Sequence, residues 1–212
     1  MSNTIEERKK EKKNQTTQKV LELKDLSKDF GGLRAVDEVN MVVNKGELRC
    51  LIGPNGAGKS TIFKLIMGLY PPTKGSVLFK GQELVGLPVW KRARLGISIK
   101  MQIPGVYGEL SLYDNLRIAG QNFIPPIKID SEIDRLVHLV GIENLGNPIV
   151  KNLSHGQQQW LEIAMALASN PELLLLDEPA AGMGPEETEF TAQIIHKLSE
   201  KGITSIFIDH DI

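Results

Sequence analysis

Nine residues constrain this chain more than any other stretch: Gly53-Pro54-Asn55-Gly56-Ala57-Gly58-Lys59-Ser60-Thr61. The spacing GxxxxGK[ST] lets a run of backbone N–H groups ring a phosphate chain, with Lys59 reaching the β/γ-phosphates and Ser60 offering a hydroxyl to Mg²⁺. The flanks suit that reading. Leu48-Arg49-Cys50-Leu51-Ile52 is an apolar run of buried-strand length, and Ile62, Phe63, Leu65, Ile66 and Leu69 recur at helical spacing, with Gly68 and Pro71-Pro72 as the stop. Strand, glycine loop and helix start together make an anion site, because the first helical N–H groups are unpaired and the helix dipole favours negative charge there.

The 212 residues suffice for one large α/β domain, or for one domain with a smaller insert, and can bury a sizeable core. A hydrophobic content of 41% and a charged content of 24% are ordinary for a globular protein. The net charge of −1 lacks the basic excess of a dedicated nucleic-acid binder. Cys50, the single cysteine, falls in the strand before the loop and reads as a small buried apolar residue without a disulfide partner, as in a reducing cytosol. No apolar run approaches the roughly 18 residues needed to cross a bilayer, and the N-terminus lacks a signal-peptide core, so any membrane role is expected to be peripheral.

Residues 1–18 are polar and basic, with Arg8, Lys9, Lys10, Lys12 and Lys13 close together, and read as a solvated, disordered tail. From 19 to 102 the pattern is rich in strands: Val20-Leu21-Glu22-Leu23, Val39 to Val43, Ser76-Val77-Leu78-Phe79, and Ile97 to Met101 leading to Gln102, with a short basic helix opened by Pro88. Residues 103–155 change texture into a small helical insert. Ser111 with Asp114 caps one helix there, and Ile133, Leu136, Val137 and Val140 line the apolar face of another that ends at Gly141. Between 156 and 212 strands and helices alternate again: Gln157 to Ser169 is helical, Leu173 to Leu176 suits a sheet covered on both faces, Pro185 opens a helix to about Glu200, and Ile203 to Ile208 is a further buried strand. The alternation predicts an α/β fold with a mainly parallel core sheet, right-handed crossovers and a ligand site at the carboxyl ends of the strands.

Two carboxylates, Asp177 and Glu178, stand at the end of the four-leucine run. Adjacent strand residues point opposite ways, so the pair is expected to divide its labour: Asp177 to organise Mg²⁺ through its water shell, Glu178 to orient an attacking water in line with a γ-phosphate. Leu153-Ser154-His155-Gly156-Gln157 directly precedes a helix, where a hydroxyl and a small flexible residue can hold a phosphate. Taken alone, Ser154 reads as an ordinary N-cap. Gln102 ends a strand where its amide can touch metal or water, and His210 ends the last strand, Ile206-Phe207-Ile208. His138 and His196 fall inside amphipathic helices and read as ordinary helix residues.

The glycine loop, Gln102, LSHGQ, the Asp177-Glu178 pair and His210 together resemble the nucleotide-binding domain of ATP-binding cassette (ABC) proteins, from about Val20 to the last residue. The resemblance implies a P-loop NTPase core with an antiparallel β edge and a helical subdomain, ATP and Mg²⁺ as cofactors, and a head-to-tail pair of cassettes. In such a pair Ser154, Gly156 and Gln157 of one subunit close over the γ-phosphate held by the loop of the other. It further implies that Gln102 couples nucleotide state to the helical insert, that His210 contacts the γ-phosphate, and that Phe30 in Asp29-Phe30-Gly31-Gly32 stacks on adenine. A core phenylalanine at a strand end is the alternative for Phe30.

Phe30 to Val36, Gln158 to Ala164 and Asp177 to Met183 are similar to the importer subfamily for branched-chain amino acids and urea, and His155 with Trp160 looks most like the urea branch. That likeness implies a peripheral ATPase on the inner membrane face, with permease subunits, a second cassette and, indirectly, an extracytoplasmic solute-binding protein as partners, and no nucleic acid. Departures stand beside it. His155 replaces the usual second glycine of the signature, Gly184 replaces a frequent aspartate, and the chain stops two residues after His210 where relatives continue, so the last segment is expected to be truncated. An exporter ATPase, such as one for lipopolysaccharide, and a soluble ABC ATPase are the rival readings. A small-molecule kinase would leave LSHGQ unexplained.

Overall fold

A computed structural model describes residues 18–103 and 105–209. The N-terminal basic stretch up to residue 17 and His210 lie outside the described residues. A long hairpin of β1 (Lys19–Phe30) and β2 (Leu33–Asn44) opens the chain, followed by β3 (Leu48–Ile52), α1 (Lys59–Met67), β4 (Lys74–Phe79) and β5 (Gln82–Glu83). Next come α2 (Val89–Arg94), β6 (Ile97–Lys100), α3 (Leu112–Gly120), α4 (Ile129–Val140), α5 (His155–Leu167), β7 (Leu173–Asp177), α6 (Pro185–Glu200) and β8 (Thr204–Asp209). The antiparallel strands form a sheet of their own, ordered β2-β1-β4-β5, and the parallel strands form a second, ordered β3-β8-β7-β6.

The parallel sheet is organised by β7, whose leucines are all 0% exposed. Their alternation divides the interior: Leu173 and Leu175 join a core with Phe63, Leu65, Ile66, Ile206 and Ile208, and so face α1 and the antiparallel sheet. Leu174 and Leu176 join the opposite core with Leu112, Leu116, Leu136, Leu161 and Leu198 of the helical layer. A strand carrying bulky apolar groups on both sides is stable only with both faces covered, and the crossover helices supply the cover. α5 packs in the same core as α3, α4 and β7, so the helical layer is continuous with the sheet.

Local signals hold where they depend on the backbone alone. Ser111 Oγ accepts from Asp114 N at the start of α3, and Gly141 ends α4 in the left-handed conformation. β3 departs from expectation. Leu48 is 38% and Ile52 54% exposed, and Cys50 is half-buried rather than buried. Among the described residues β3 lies at the edge of its sheet and pairs only with β8. Burial and the nearby Asp209 carboxylate push the Cys50 thiol above its ordinary range.

The far end of α1 is tied down by Arg92, 2% exposed on α2. Its guanidinium donates to Leu65 O and Ile66 O at 2.8 Å each and to Leu87 O at 3.0 Å. Leu65 O and Ile66 O belong to the last turn of α1, where a cation also meets the negative end of the dipole, and Leu87 O lies in the turn before α2. Gly68 leaves room for the guanidinium, since a Cβ there would lie 2.6 Å from Arg92 Nε. Arg92→Met is expected to lower unfolding free energy by about 3 kcal/mol, from the carbonyls left unpaired, read as a lower urea midpoint at unchanged slope.

Candidate functional site

The glycine loop leaves β3 and turns into α1 through two left-handed glycines, Gly56 at φ 82° and Gly58 at φ 86°. Gly58 is also a matter of space. A Cβ there would stand 2.1 Å from Ala35 O on the neighbouring hairpin, whereas one on Gly56 would meet nothing within 4 Å. Lys59 folds back over the loop, its ammonium donating to Gly53 O and, at 3.1 Å, to Pro54 O. The positive charge is thereby held at the rim of the loop on neutral acceptors, which a phosphate can replace.

Around this loop lies an open cleft of about 380 Å³, lined by Phe30, Leu33 and Ala35 from the hairpin, Asn55 to Thr61, Gln102 and Glu178. Phe30 is 41% exposed at the end of β1, so it is not a core residue; its ring meets Tyr70 edge-on at 5.2 Å and carries Lys28 Nζ at 5.0 Å. Behind the cleft Ser60 Oγ donates to Asp177 Oδ1 at 3.1 Å. Asp177 is 3% exposed, and burial pushes its carboxyl above the ordinary range; Ser60 pulls it back, the Glu178 charge raises it further, and Lys100 and Lys64 lower it. Lys100, itself buried with its ammonium pushed below its ordinary range by desolvation, donates to Asp177 O at 3.4 Å.

Asp177 and Glu178 diverge, but not by strand alternation. β7 ends at Asp177, and Glu178 takes φ 47°, a left-handed conformation rare outside glycine. The turn swings Glu178 out to the cleft, where Gln102 Nε2 donates to its Oε2 at 2.9 Å. Strain of this kind, of order 1–3 kcal/mol, persists where surrounding structure imposes it. A hydroxyl, a buried carboxylate and an amide oxygen make a hard, oxygen-only donor set that fits Mg²⁺, which keeps several waters and takes one or two carboxylates besides substrate phosphates.

The sequence-derived residues thus divide. Phe30, Asn55, Gly56, Ala57, Gly58, Lys59, Ser60, Thr61, Gln102 and Glu178 meet in one cleft, with Gly53, Pro54 and Asp177 directly behind it. Ser154, Gly156 and Gln157 line no part of that cleft. They begin α5 as a capping box, Ser154 Oγ accepting from Gln157 N at 3.2 Å and Gln157 Oε1 from Ser154 N at 2.9 Å, so the N-cap reading of Ser154 is realised. His155 Nε2 lies 3.2 Å from Ala181 O in the turn after Glu178.

Three charged residues of this region were not singled out from sequence: Lys100, Glu162 and Glu187. Glu162 is 7% exposed, accepts from Gly105 N through Oε1 and, among the described residues, leaves Oε2 without a hydrogen bond. It faces a cavity of about 290 Å³ shared with Lys100, Met101, Ile103 and Met165. The available signal was weak: a glutamate between the apolar Leu161 and Ile163, sharing its helix face with Gln158, Gln159, Met165 and Ala166.

A family model described as ABC transporter matches residues 36–181. The high-affinity branched-chain amino acid transport ATP-binding protein BraF of Pseudomonas aeruginosa is 37% identical over 210 residues, covering 91% of this chain and 82% of that protein. The lipopolysaccharide export system ATP-binding protein LptB of Escherichia coli is 36% identical over 194 residues, covering 91% and 80%. The xylose import ATP-binding protein XylG of Moorella thermoacetica is 37% identical over 199 residues, and the chain spans only 40% of its length. Among solved structures, an ATP-binding cassette of an ABC transporter in its ADP conformation superposes with a TM-score of 0.82 at 28% identity, covering 92% of this chain and 83% of that one.

Gly58→Ala is expected to weaken binding of a fluorescent ATP analogue by at least about tenfold, because the hairpin and the loop cannot both keep their places. Gly56→Ala meets only the backbone cost of about 1 kcal/mol and is expected to bind far more nearly normally. Glu162 yields a pH dependence. Burial holds its carboxyl above the ordinary value of 4.5, against the pull of the Gly105 amide and the Lys100 charge, so the folded chain keeps a proton that the unfolded chain releases. That contribution is full below 4.5 and is lost as pH rises through the folded value. Glu162→Gln, which cannot titrate, is expected to lose less stability than wild type as pH rises above 4.5, read from urea midpoints.

Proposed function

The chain belongs to the ABC transporter family, and from that premise we propose that it is the ATP-hydrolysing motor subunit of an importer for branched-chain amino acids or urea, working with membrane-spanning permease subunits. The observation that carries the reading is the cleft in which Lys59, Ser60, Gln102 and Glu178 converge around the glycine loop. Loop amides and Lys59 hold the phosphates, Phe30 stacks on adenine, and Ser60, Gln102 and Asp177 would hold Mg²⁺. That ion would supply positive charge to offset the phosphates.

Glu178 orients water in line with the γ-phosphate, and Gln102, hydrogen-bonded to it, carries the nucleotide state toward the helical layer. Ser154, Gly156 and Gln157 serve a nucleotide held by a second cassette, in keeping with their place away from the cleft of their own chain. His210 completes the γ-phosphate contacts. No described helix is long and apolar enough to cross a membrane, which accords with a subunit that works from the membrane surface.

BraF supports the amino-acid reading, and LptB, at nearly equal identity, supports an exporter as the second reading. The urea branch draws on His155 and Trp160. Both bind the α6 side of the structure, Trp160 Nε1 donating to Thr191 Oγ1 at 3.0 Å and its ring meeting Phe190 at 4.5 Å.

Glu178→Gln is expected to keep ATP binding, lose steady-state hydrolysis by at least about a hundredfold and accumulate an ATP-held dimer in light scattering. Undiminished hydrolysis would remove Glu178 from the chemistry. In cells carrying the same substitution, loss of labelled leucine or labelled urea uptake decides the branch, and normal uptake of both, without a redundant carrier, transfers the assignment to export.

A further inference from the structure

Ser154 has one hydroxyl proton, and in this structure it is already committed. Ser154 Oγ donates to Glu187 Oε1 at 3.2 Å, while the other oxygen of the same carboxylate accepts from Gly184 N at 3.3 Å. Glu187 therefore bridges the N-termini of two helices, α5 and α6, each of which attracts negative charge. It also lies over Gly156, where a Cβ would stand 2.5 Å from Oε1 and 3.0 Å from Oε2. The absence of a side chain at 156 is what lets a carboxylate approach the start of α5. The ring of His155, against Ala181 O, holds the neighbouring turn in register with this contact.

We propose that Glu187 is a positioning residue that occupies the anion place at the start of α5 and holds the Ser154 hydroxyl until a γ-phosphate on a second copy of the chain displaces it. The proposal rests on the motor reading above. A serine hydroxyl donates to one acceptor at a time, so Ser154 cannot serve Glu187 and a phosphate together. Two anions also repel across so short a gap. Closure of two cassettes then exchanges one charge-assisted hydrogen bond for another and lets Glu187 fall back on Gly184 N alone. No bond is made or broken covalently. The carboxylate sets how much nucleotide is needed before the cassettes close, and because α6 follows directly from the turn carrying Glu178, it joins that threshold to the hydrolytic side of the same chain.

The test uses the full chain carrying Glu178→Gln, with dimerisation followed by light scattering against ATP concentration and melting temperature recorded in parallel. Adding Glu187→Gln is expected to lower half-saturating ATP by about fivefold or more, the lower end of ordinary couplings between linked sites. Because the amide replaces the carboxylate at equal size, a gain in ATP sensitivity is a result that a merely structural role would not produce. In a background that also carries Ser154→Ala the gain is expected to disappear, since the shared donor is gone. No change or a rise in half-saturating ATP on Glu187→Gln overturns the proposal, as does a gain that persists without Ser154. A Glu178→Gln parent that stays monomeric at saturating ATP overturns the motor reading and the proposal with it.

Discussion

Burial of β7 on both faces is the constraint on which the rest of the molecule depends. Leu173 and Leu175 require a cover on the α1 side and Leu174 and Leu176 on the α5 side, so the chain must cross the sheet in both directions to satisfy one strand. At about 25 cal/mol per Å² of apolar surface, a strand of four fully enclosed leucines contributes several kcal/mol, and about half of it is lost if either layer is missing. The strand ends in a buried carboxylate and then a left-handed residue, Asp177 and Glu178. A strand buried at every residue thus carries the polar groups at its carboxyl end, and Ser60 on α1 meets the same point by its hydrogen bond to Asp177.

Charges placed against helix ends recur through the structure and account for much of what the core does not. Arg92 satisfies the carbonyl end of α1, whose amide end opens on the glycine loop, so the helix is anchored at the end remote from the cleft. Glu187 serves the amide ends of α5 and α6 at once. Lys59 is different in kind: its acceptors are two loop carbonyls, neutral and rim-exposed, an arrangement that is cheap to leave. Arg92, tightly buried, belongs to the scaffold, whereas Lys59, loosely held, belongs to the cleft and can exchange its carbonyls for an anion.

Much of this was legible in the residues. The glycine loop, the capping serine at 111, the glycine stop at 141 and the leucine strand are local signals, and each follows from backbone geometry or from alternation along a few residues. What resisted reading depends on partners distant in sequence. Arg92 lies in a short basic stretch that looks solvent-facing, and only the fold brings Leu65 and Ile66 beneath it. Glu162 shares a mixed helix face with Gln158, Gln159 and Met165, and its partner, the amide of Gly105 across a loop, is not legible from that face. β3 reads as buried because its composition matches an inner strand; strand order, which no single strand encodes, leaves it at the edge with Ile52 exposed. The division between Asp177 and Glu178 was anticipated for the wrong reason, since the backbone turn at Glu178, not alternation, separates them.

The cleft and the start of α5 remain apart within one chain, and that separation has a physical consequence. The cleft has the Lys59 cation, the Ser60 hydroxyl and the Glu178 carboxylate, while the α5 start has a second hydroxyl, Ser154, and a helix dipole already met by Glu187. A lone chain can therefore hold nucleotide without surrounding it, and the terminal phosphate stays open to bulk water, where fixed dipoles act weakly. On the proposed reading, bringing the α5 start of a second copy onto that phosphate would exclude water and raise the worth of every charge around it, but only after the Glu187 carboxylate had yielded. Such an enclosure, its second wall self-occupied, would close when nucleotide is present and reopen when the terminal phosphate is gone, because Glu187 would then have no stronger competitor for Ser154. A single glutamate at the start of a helix would thus bias the pair toward opening after each turnover, which is the direction a cyclic motor requires.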